Sequence, residues 1–334
     1  MEDVAVVILN YNGRAFLEQF LPTVLACSGH HTVYVADNAS TDESVSLLQS
    51  FPTVRLIRLK VNAGYAGGYN AALSQIQARY FLLLNSDVEV TPGWIESLYQ
   101  FMELHPEAGA CQPKVRSWHR RTHFEYAGAA GGYLDWLGYA FCRGRLFDTV
   151  EEDRGQYDDA RPVFWATGAC LLVRSAIFRQ LGGFDADFFA HMEEIDLCWR
   201  MHRLGHQVWY CPGSTVYHVG GGTLPQTSPR KTFLNYRNSL AMLYKNLPGS
   251  QRGAVLLVRL ILDGASALPY LFRGRFQNIW AIIRAHFAFY RWLPKLRRER
   301  RNQERASAKV VLYPRSIVWQ YFVRGRKTYA ELKR

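Results

Sequence analysis

A chain of 334 residues with 49% hydrophobic and 20% charged residues has the composition of a folded globular protein, long enough for one large domain or two, which excludes a disordered polymer. Its net charge of +12 is unevenly placed: residues 251–334 hold 19 Lys/Arg against 4 Asp/Glu, whereas residues 1–250 hold 21 against 24. A slightly acidic body (1–250) joined to a basic tail (251–334) predicts a catalytic or binding part and a segment that meets a polyanionic surface.

The first hundred residues alternate strand and helix signals. Val4–Leu9 is a short β-branched run, Arg14–Leu25 has helical spacing at Phe16, Phe20, Leu21 and Val24, and Val33–Ala36 is a second strand followed by a helix over Asp42–Gln49. Val54–Leu59, Gly67–Ile76 and Tyr80–Leu84 repeat the alternation. This succession implies a parallel sheet with helices on both faces, in which ligands collect at the C-terminal ends of the strands. A helix over Trp94–Leu104 and a strand over Ala110–Val115 follow, then a Gly- and aromatic-rich excursion over residues 116–162. Val163–Val173 reads as a strand, Ala176–Leu181 as a helix, Glu193–Leu204 as a helix ended by Gly205, and Gln207–Tyr210 as a strand closed by a Cys-Pro-Gly turn.

Polar groups gather where strands end. The first strand runs into Asn10-Tyr11-Asn12-Gly13 and the second into Asp37-Asn38-Ala39-Ser40-Thr41-Asp42. Asp37 either accepts hydrogen bonds from a nucleobase or ribose, or merely caps and turns the chain. Asn62-Ala-Gly64-Tyr65-Ala-Gly67-Gly68-Tyr69-Asn70 precedes a helix, so its glycines serve either close approach to phosphate or close helix packing. They do not follow the first strand, which disfavours a dinucleotide-binding Rossmann enzyme. Asn85-Ser86-Asp87 leaves the apolar run Tyr80–Leu84, a second acidic cluster stands at Glu193-Glu194-Ile195-Asp196, and His218 follows. One carboxylate for a divalent metal, one for a base and an imidazole are the parts of a metal-assisted group-transfer site. Within the cluster, Asp196 and Arg200 stand four apart and are placed to pair, while Glu194 points about 100° from Glu193.

Six cysteines are scattered without a C-x-x-C pair and read as buried small hydrophobes. Met-Glu-Asp runs directly into a strand pattern with no secretory signal, so a cytoplasmic protein, or one on the cytoplasmic face of its membrane, is expected. In the tail, Ala254–Val258, Leu260–Leu262, Leu268–Phe272, Ile279–Ile283 and Phe287–Tyr290 alternate with Arg259, Arg273, Arg275, Arg284 and Arg291. Apolar faces punctuated by arginine suit an anionic bilayer surface better than nucleic acid. Arg259, Asp263, Arg273 and Arg284 interrupt every apolar run short of the ~18–20 residues that span a bilayer, so residues 251–305 are expected to attach to one leaflet; packing of the segment on the body is the alternative.

Taken in order, Asn10-Tyr11-Asn12, Asp37–Asp42, Asn62-x-Gly64-x-x-Gly67-Gly68-x-Asn70, Asn85-Ser86-Asp87, Gly168-Ala169 and Glu193-Glu194-x-Asp196-Leu197-Cys198-Trp199-Arg200 resemble family-2 GT-A glycosyltransferases over about residues 3–245, and most of all the bacterial branch that includes rhamnosyltransferases of cell-surface polysaccharide assembly. The resemblance implies an α/β, Rossmann-like and mostly parallel sheet with a basic helical extension. It implies a nucleotide-sugar donor, thymidine-diphosphate rhamnose or a uridine-diphosphate sugar, and a glycan or polyprenyl-diphosphate-linked acceptor. Asp37 would hold the base, with Asn10, Tyr11, Asn12, Asn38, Asn62, Gly64, Gly68, Asn70, Asn85 and Ser86 lining the donor site. Asp87 matches the last acid of the family's metal triplet and would hold Mg²⁺ or Mn²⁺, with His218 completing the shell. Glu194 would be the catalytic base of an inverting transfer, and Trp165, Gly168, Ala169, Glu193 and Asp196 would line the acceptor side. Asn85 departs from the commoner Asp-x-Asp and contributes no charge, which weakens metal affinity and motivates an alternative: a non-catalytic nucleotide-sugar or glycan-binding protein.

Overall fold

A computed structural model describes residues 2–220, 227–303, 308 and 310–333. The elements in chain order are β1 (Glu2–Asn10), α1 (Arg14–Cys27), β2 (Thr32–Asp37), α2 (Ser44–Leu48), β3 (Arg55–Arg58), α3 (Gly64–Leu73), β4 (Ala78–Asn85), β5 (Val88–Val90), α4 (Trp94–Leu104) and β6 (Ala108–Ser117). Then come β7 (Gly132–Leu134), β8 (Ala140–Cys142), β9 (Arg145–Leu146), β10 (Thr149–Val150), β11 (Arg161–Val163), β12 (Cys170–Arg174), α5 (Ser175–Gln180), α6 (Glu193–Arg203) and β13 (Gln207–His218). Four helices follow: α7 (Pro229–Asn246), α8 (Gly249–Ala265), α9 (Leu268–Phe272) and α10 (Phe276–Gln303).

Among the described residues the central sheet has nine strands in the order β11-β13-β6-β12-β4-β1-β2-β3, with β5 beside β13. Strands β4, β1, β2 and β3 run parallel, as the alternation predicts; β12 is antiparallel to both neighbours, and β13 is parallel to β6. The strands are apolar on both faces because helices cover both. Ala5, Val7, Phe81 and Leu83 pack with α3, α5 and α6, while Val4, Val6, Ile8, Leu82 and Leu84 pack with α1 and α4. Register decides where function lies. Asn10 pairs with Asp37, Leu9 with Asn85 and Leu84 with Cys170, so the ends of β1, β2 and β4 and the start of β12 share one rim.

Three expectations change. Val163–Val173 is not one strand: Phe164 and Trp165 leave the sheet to bond Gly132 of β7, Phe164 N donating to Gly132 O at 2.8 Å and Gly132 N to Trp165 O at 3.0 Å. The Cys211-Pro212-Gly213 segment does not end β13, because a bulge between Cys211 and Thr215 absorbs it and pairing with β6 continues to His218. The excursion over 116–162 carries its own four-stranded sheet, β10-β9-β8-β7.

The charge boundary near residue 250 is not a packing boundary. Arg259 of α8, 3% exposed, reaches Leu137 O at 3.0 Å, Ser239 Oγ of α7 at 2.9 Å and Asp263 at 3.2 Å. His286 of α10 meets the same Asp263 at 3.2 Å. The two charges that were expected to interrupt α8 therefore point inward, and the outer face of α8–α10 is left apolar. The 24 residues Gly249–Phe272 are long and apolar enough, by length and composition, to cross a membrane, with a mean hydropathy of 1.7 over an 18-residue window.

Candidate active site

The rim is built from strand ends and the loops they enter. Asn10 is fully buried; its amide donates to Asp37 Oδ1 at 3.3 Å and Ser40 Oγ at 3.2 Å, while Ser40 N donates to Asp37 Oδ2 at 3.1 Å. Asn12, in the left-handed region at φ 51°, takes Thr41 N on its side-chain oxygen at 2.7 Å. Tyr11 stands out beside them, 39% exposed. These residues join the β1 and β2 loops into one rigid ledge, and Ser86 lies against Gly13 of the same ledge.

Other residues expected in the donor site are bonded to one another and to the neighbouring loops. Asn38 takes Ala63 N on its oxygen at 3.1 Å and gives its amide to Asn62 Oδ1 and Gly64 O. Asn62 in turn takes Gly64 N at 2.9 Å, and Phe189 O takes Ala66 N at 3.2 Å. The N-terminal amides of Gly64 and Ala66 are thus already satisfied by the protein, which argues against a phosphate cradle there. The glycines serve packing: a Cβ on Gly64 (φ 72°) would lie 2.3 Å from Phe189 O, and one on Gly68 would lie 2.9 Å from Leu9. Asn70 holds the Gly182–Phe184 turn through Phe184 N and O at 2.9 and 2.8 Å.

Asp87 sits past the end of β4, 8% exposed, with His218 Nε2 at 3.2 Å from its Oδ1. The other imidazole nitrogen faces Glu125 at 3.4 Å without hydrogen-bond alignment. Burial by itself would lower the His218 pKa, but the carboxylates of Glu125 and Asp87 outweigh it and hold the ring charged, up to about 10. Burial likewise pushes Asp87 up, and His218 more than reverses the effect, leaving it below the usual carboxylate range. The glycine-rich segment expected to flank His218 begins at Gly220, and its continuation, residues 221–226, lies outside the described residues. Among the described residues there is no group of three or more side chains able to hold a metal by themselves. Asp87 and His218 stand side by side, and the protonated ring supplies the positive charge between Asp87 and Glu125; a cation bound to Asp87 would have to displace that proton to take the imidazole as a second ligand. Such a pair fits a cation that takes its remaining ligands from a bound diphosphate.

The second acidic group is reached along a ring of contacts. Asn85 N donates to Ala169 O at 3.0 Å, and Tyr65 of α3 donates its hydroxyl to Gly168 O at 2.7 Å. Tyr65 is pushed well above its ordinary pKa by burial and then by the charges of Tyr69, Glu193 and Glu194. On the other side Lys231, on the first turn of α7, acts electrostatically on both Glu125 and His191. Asn85, Ala169, Gly168 and Tyr65 thus connect the end of β4 to the surroundings of Glu193 and Glu194.

Glu193 and Glu194 begin α6 after a strained approach, with Phe189, His191 and Met192 all at positive φ (64°, 72° and 74°). Burial raises Glu194 to about 7 against the pull of its own and Ile195's amides, and one of its carboxylate oxygens is buried without a partner. Glu193, 4% exposed, is raised well above the carboxylate range by burial and then by Glu194, so it stays protonated where its neighbour ionises.

Two members of the expected acceptor side do not reach the rim. Asp196 is fully buried, bonded to Arg200 Nε at 2.8 Å as the four-residue spacing predicts, and also to Lys245 at 3.3 Å and Asn246 at 2.8 Å. Trp165 is 3% exposed, donates to Tyr133 O at 2.9 Å and lies so close under Gly132 that a Cβ there would fall 2.0 Å from its ring. Both are core residues. Sequence reasoning missed Glu125, Tyr65, Lys231 and His191. Tyr65 lies inside a motif that had been singled out, but no local pattern marks the other three.

The profile of glycosyl transferase family 2 matches residues 5–182. The chain is 32% identical over 236 residues, 65% of its length and 76% of the relative's, to an N-acetylglucosaminyl-diphospho-decaprenol L-rhamnosyltransferase of Mycobacterium tuberculosis. It is 23% identical over 222 residues, 64% of its length and 83% of the relative's, to the rhamnosyltransferase WbbL of Escherichia coli. Among solved structures, S. aureus TarS with UDP-GlcNAc superposes with a TM-score of 0.55 at 14% identity, covering 90% of this chain and 89% of that one. GalNAc-T7 with UDP, GalNAc and Mn²⁺ gives a TM-score of 0.57 at 14% identity, covering 73% and 48%. With a GT-A fold, an ordered set of polar strand ends and a profile match across more than half its length, the chain belongs to glycosyltransferase family 2.

Proposed function

We propose that this glycosyltransferase moves a sugar, rhamnose from its thymidine-diphosphate donor in the first instance, onto a hydroxyl of a polyprenyl-diphosphate-linked glycan during cell-surface polysaccharide assembly. The support for donor and acceptor is the likeness to relatives named as rhamnosyltransferases, one of them for a diphospho-decaprenol acceptor. The reaction runs as a single displacement with inversion. Glu194 takes the proton of the acceptor hydroxyl as its oxygen forms a bond to the anomeric carbon, and the bond from that carbon to the diphosphate breaks on the opposite side. Tyr11, Asn12 and Asp37 receive the nucleoside on the β1–β2 ledge. Asp87 and His218 would hold Mg²⁺ or Mn²⁺ against the donor diphosphate, and the cation supplies neutralisation of the charge that the leaving group gains. Tyr65 and Gly168 shape the wall next to the base, and the enzyme works from the cytoplasmic face of the membrane with residues 251–305 against the lipid.

The observation that carries this reading is Glu194: a carboxylate at the start of α6 raised to about 7 by burial, with one buried oxygen that has no hydrogen-bond partner. Glu194→Gln is expected to lower turnover by about 10²–10⁴-fold, the worth of general-base assistance. Stabilisation of the folded chain by thymidine-diphosphate rhamnose with Mn²⁺ should persist in the variant, since the base does not hold the donor. Near-normal turnover in that variant would remove the assignment, and loss of donor stabilisation would place Glu194 in the donor site instead.

A further inference from the structure

Beyond α10 the chain returns to the body, and its last residues cover the small sheet. Ile317, Tyr321 and Leu332 pack with Phe141 and Leu146, Ile317 N donates to Asp135 at 2.9 Å, and Tyr329 N donates to Glu151 at 3.0 Å. The turn Trp319–Val323, anchored this way, sends Trp319, Phe322 and Val323 outward at 53%, 64% and 58% exposure. Beside them a cavity of about 250 Å³ is lined by Arg315, Trp319, Gln320, Arg324 and Arg326. No carboxylate is among the residues that line it. Two buried polar atoms in the lining have no hydrogen-bond partner: Nη1 of Arg326 and Oε1 of Gln320, a residue 8% exposed.

Three like charges around one opening, with a buried N–H left unpaired, are costly unless an anion completes them. Rotation of the Gln320 amide about its last bond offers a further donor. The cavity falls short of the ~300–1,000 Å³ that encloses a whole small ligand, so it suits one phosphate whose remainder stays outside. Trp319 borders the opening, and Phe322 and Val323 are exposed on the same turn, the arrangement of apolar side chains beside basic ones that suits a lipid interface. The loop Asp135–Tyr139 ties this turn to α8, since it accepts Ile317 N on one side and Arg259 on the other.

We propose that the Arg315–Arg326 turn binds the phosphate of an anionic lipid headgroup, held by the three arginines with Trp319, Phe322 and Val323 entering the lipid beside it. This goes beyond the membrane role proposed for residues 251–305, which requires no headgroup selectivity, and it does not depend on the identity of donor or acceptor.

The test uses the full chain and vesicles of phosphatidylcholine alone or mixed with phosphatidylglycerol, sedimented at physiological salt. The double variant Arg324→Ala/Arg326→Ala is expected to lose on the order of twentyfold in partitioning onto the mixed vesicles, about fivefold for each arginine, and to bind the neutral vesicles as the parent does. Trp319→Ala should weaken binding to both. If the double variant melts early, Arg324→Ala alone, at an exposed side chain, must still give the fivefold loss. Equal binding of parent and variants to the mixed vesicles, or an equal loss on both vesicle types, overturns the proposal. So does stabilisation of the parent but not the variant by inorganic phosphate when the parent shows no preference for phosphatidylglycerol, which would make this a site for a soluble phosphate. Transfer to a soluble acceptor is read separately, so failure here leaves the catalytic reading intact.

Discussion

Glu193 and Glu194 are adjacent in sequence and differ in what surrounds them. Both are raised by burial, but the charge of Glu194 pushes Glu193 further up against one offsetting amide, whereas Glu194 has two amides, its own and Ile195's, to offset burial, so one acid stays neutral while the other ionises near neutrality. The base must be ionised to accept a proton. With Glu194 at about 7, kcat/KM is expected to fall as pH drops below 7, about tenfold per unit, and to level off above it; a pH–rate profile measured with saturating metal reads this limb directly. The same shift has a stability consequence. Between the ordinary carboxylate value and about 7 the folded chain binds more protons than the unfolded one, so this group's contribution to stability declines as pH rises through that window and stays low above it. Glu194→Gln buries no charge and is expected to melt a few degrees above the parent at pH 8, with little difference at pH 4. The role proposed for Glu194 follows from motif order in the sequence, whereas its chemistry does not, because desolvation belongs to the folded environment. Glu125 shows the opposite limit: it meets His218 only because the excursion over 116–162 folds back on β6, the neighbour of β13, and no local spacing records that.

At the scale of elements, the first turn of α6 is fixed because α7 grips the loop before it. Asn238, fully buried, gives its amide to the carbonyls of Phe188, Ala190 and His191 at 2.8, 3.0 and 2.8 Å, and Arg237 adds Asp187 and Phe188. Three residues held at positive φ persist only when such contacts over-determine them. Asn238→Ala leaves those carbonyls without this partner and is expected to cost about 1–3 kcal/mol in denaturant unfolding. Because the loop carries Glu194, kcat should fall while donor KM changes little; a proportional rise in donor KM would show that Asn238 serves the donor site. The alternation of strands and helices and the i, i+4 ion pair of α6 were legible in the sequence, since periodicity and side-chain spacing are local. The purpose of the Gly64–Asn70 motif was not. A glycine allows close approach without saying by what, and here the visitor is Phe189 and Leu9 rather than phosphate.

Across the whole molecule, the tail resolves into an inside and an outside that composition alone confuses. The charges of α8 are spent on the body through Arg259, Asp263 and His286, and this leaves Leu257, Ile261, Phe272, Phe276, Trp280 and Phe287 exposed by 58–85%. Arg273, Arg275 and Arg284 stand exposed among them. So large an apolar surface on a folded chain marks a place where something else sits, and the interleaved arginines suit anionic headgroups. The buried Arg259–Asp263 pair also argues for a helix lying on its body rather than leaving it to cross a bilayer, because withdrawal would strand both charges in lipid. We therefore expect Phe272→Ser/Phe276→Ser/Trp280→Ser/Phe287→Ser, which touches no buried contact, to keep its melting temperature and its activity on a soluble acceptor while moving from the membrane to the soluble fraction of a cell lysate. Retention of that variant on membranes in the face of a salt wash would mean that this face is covered by something other than lipid.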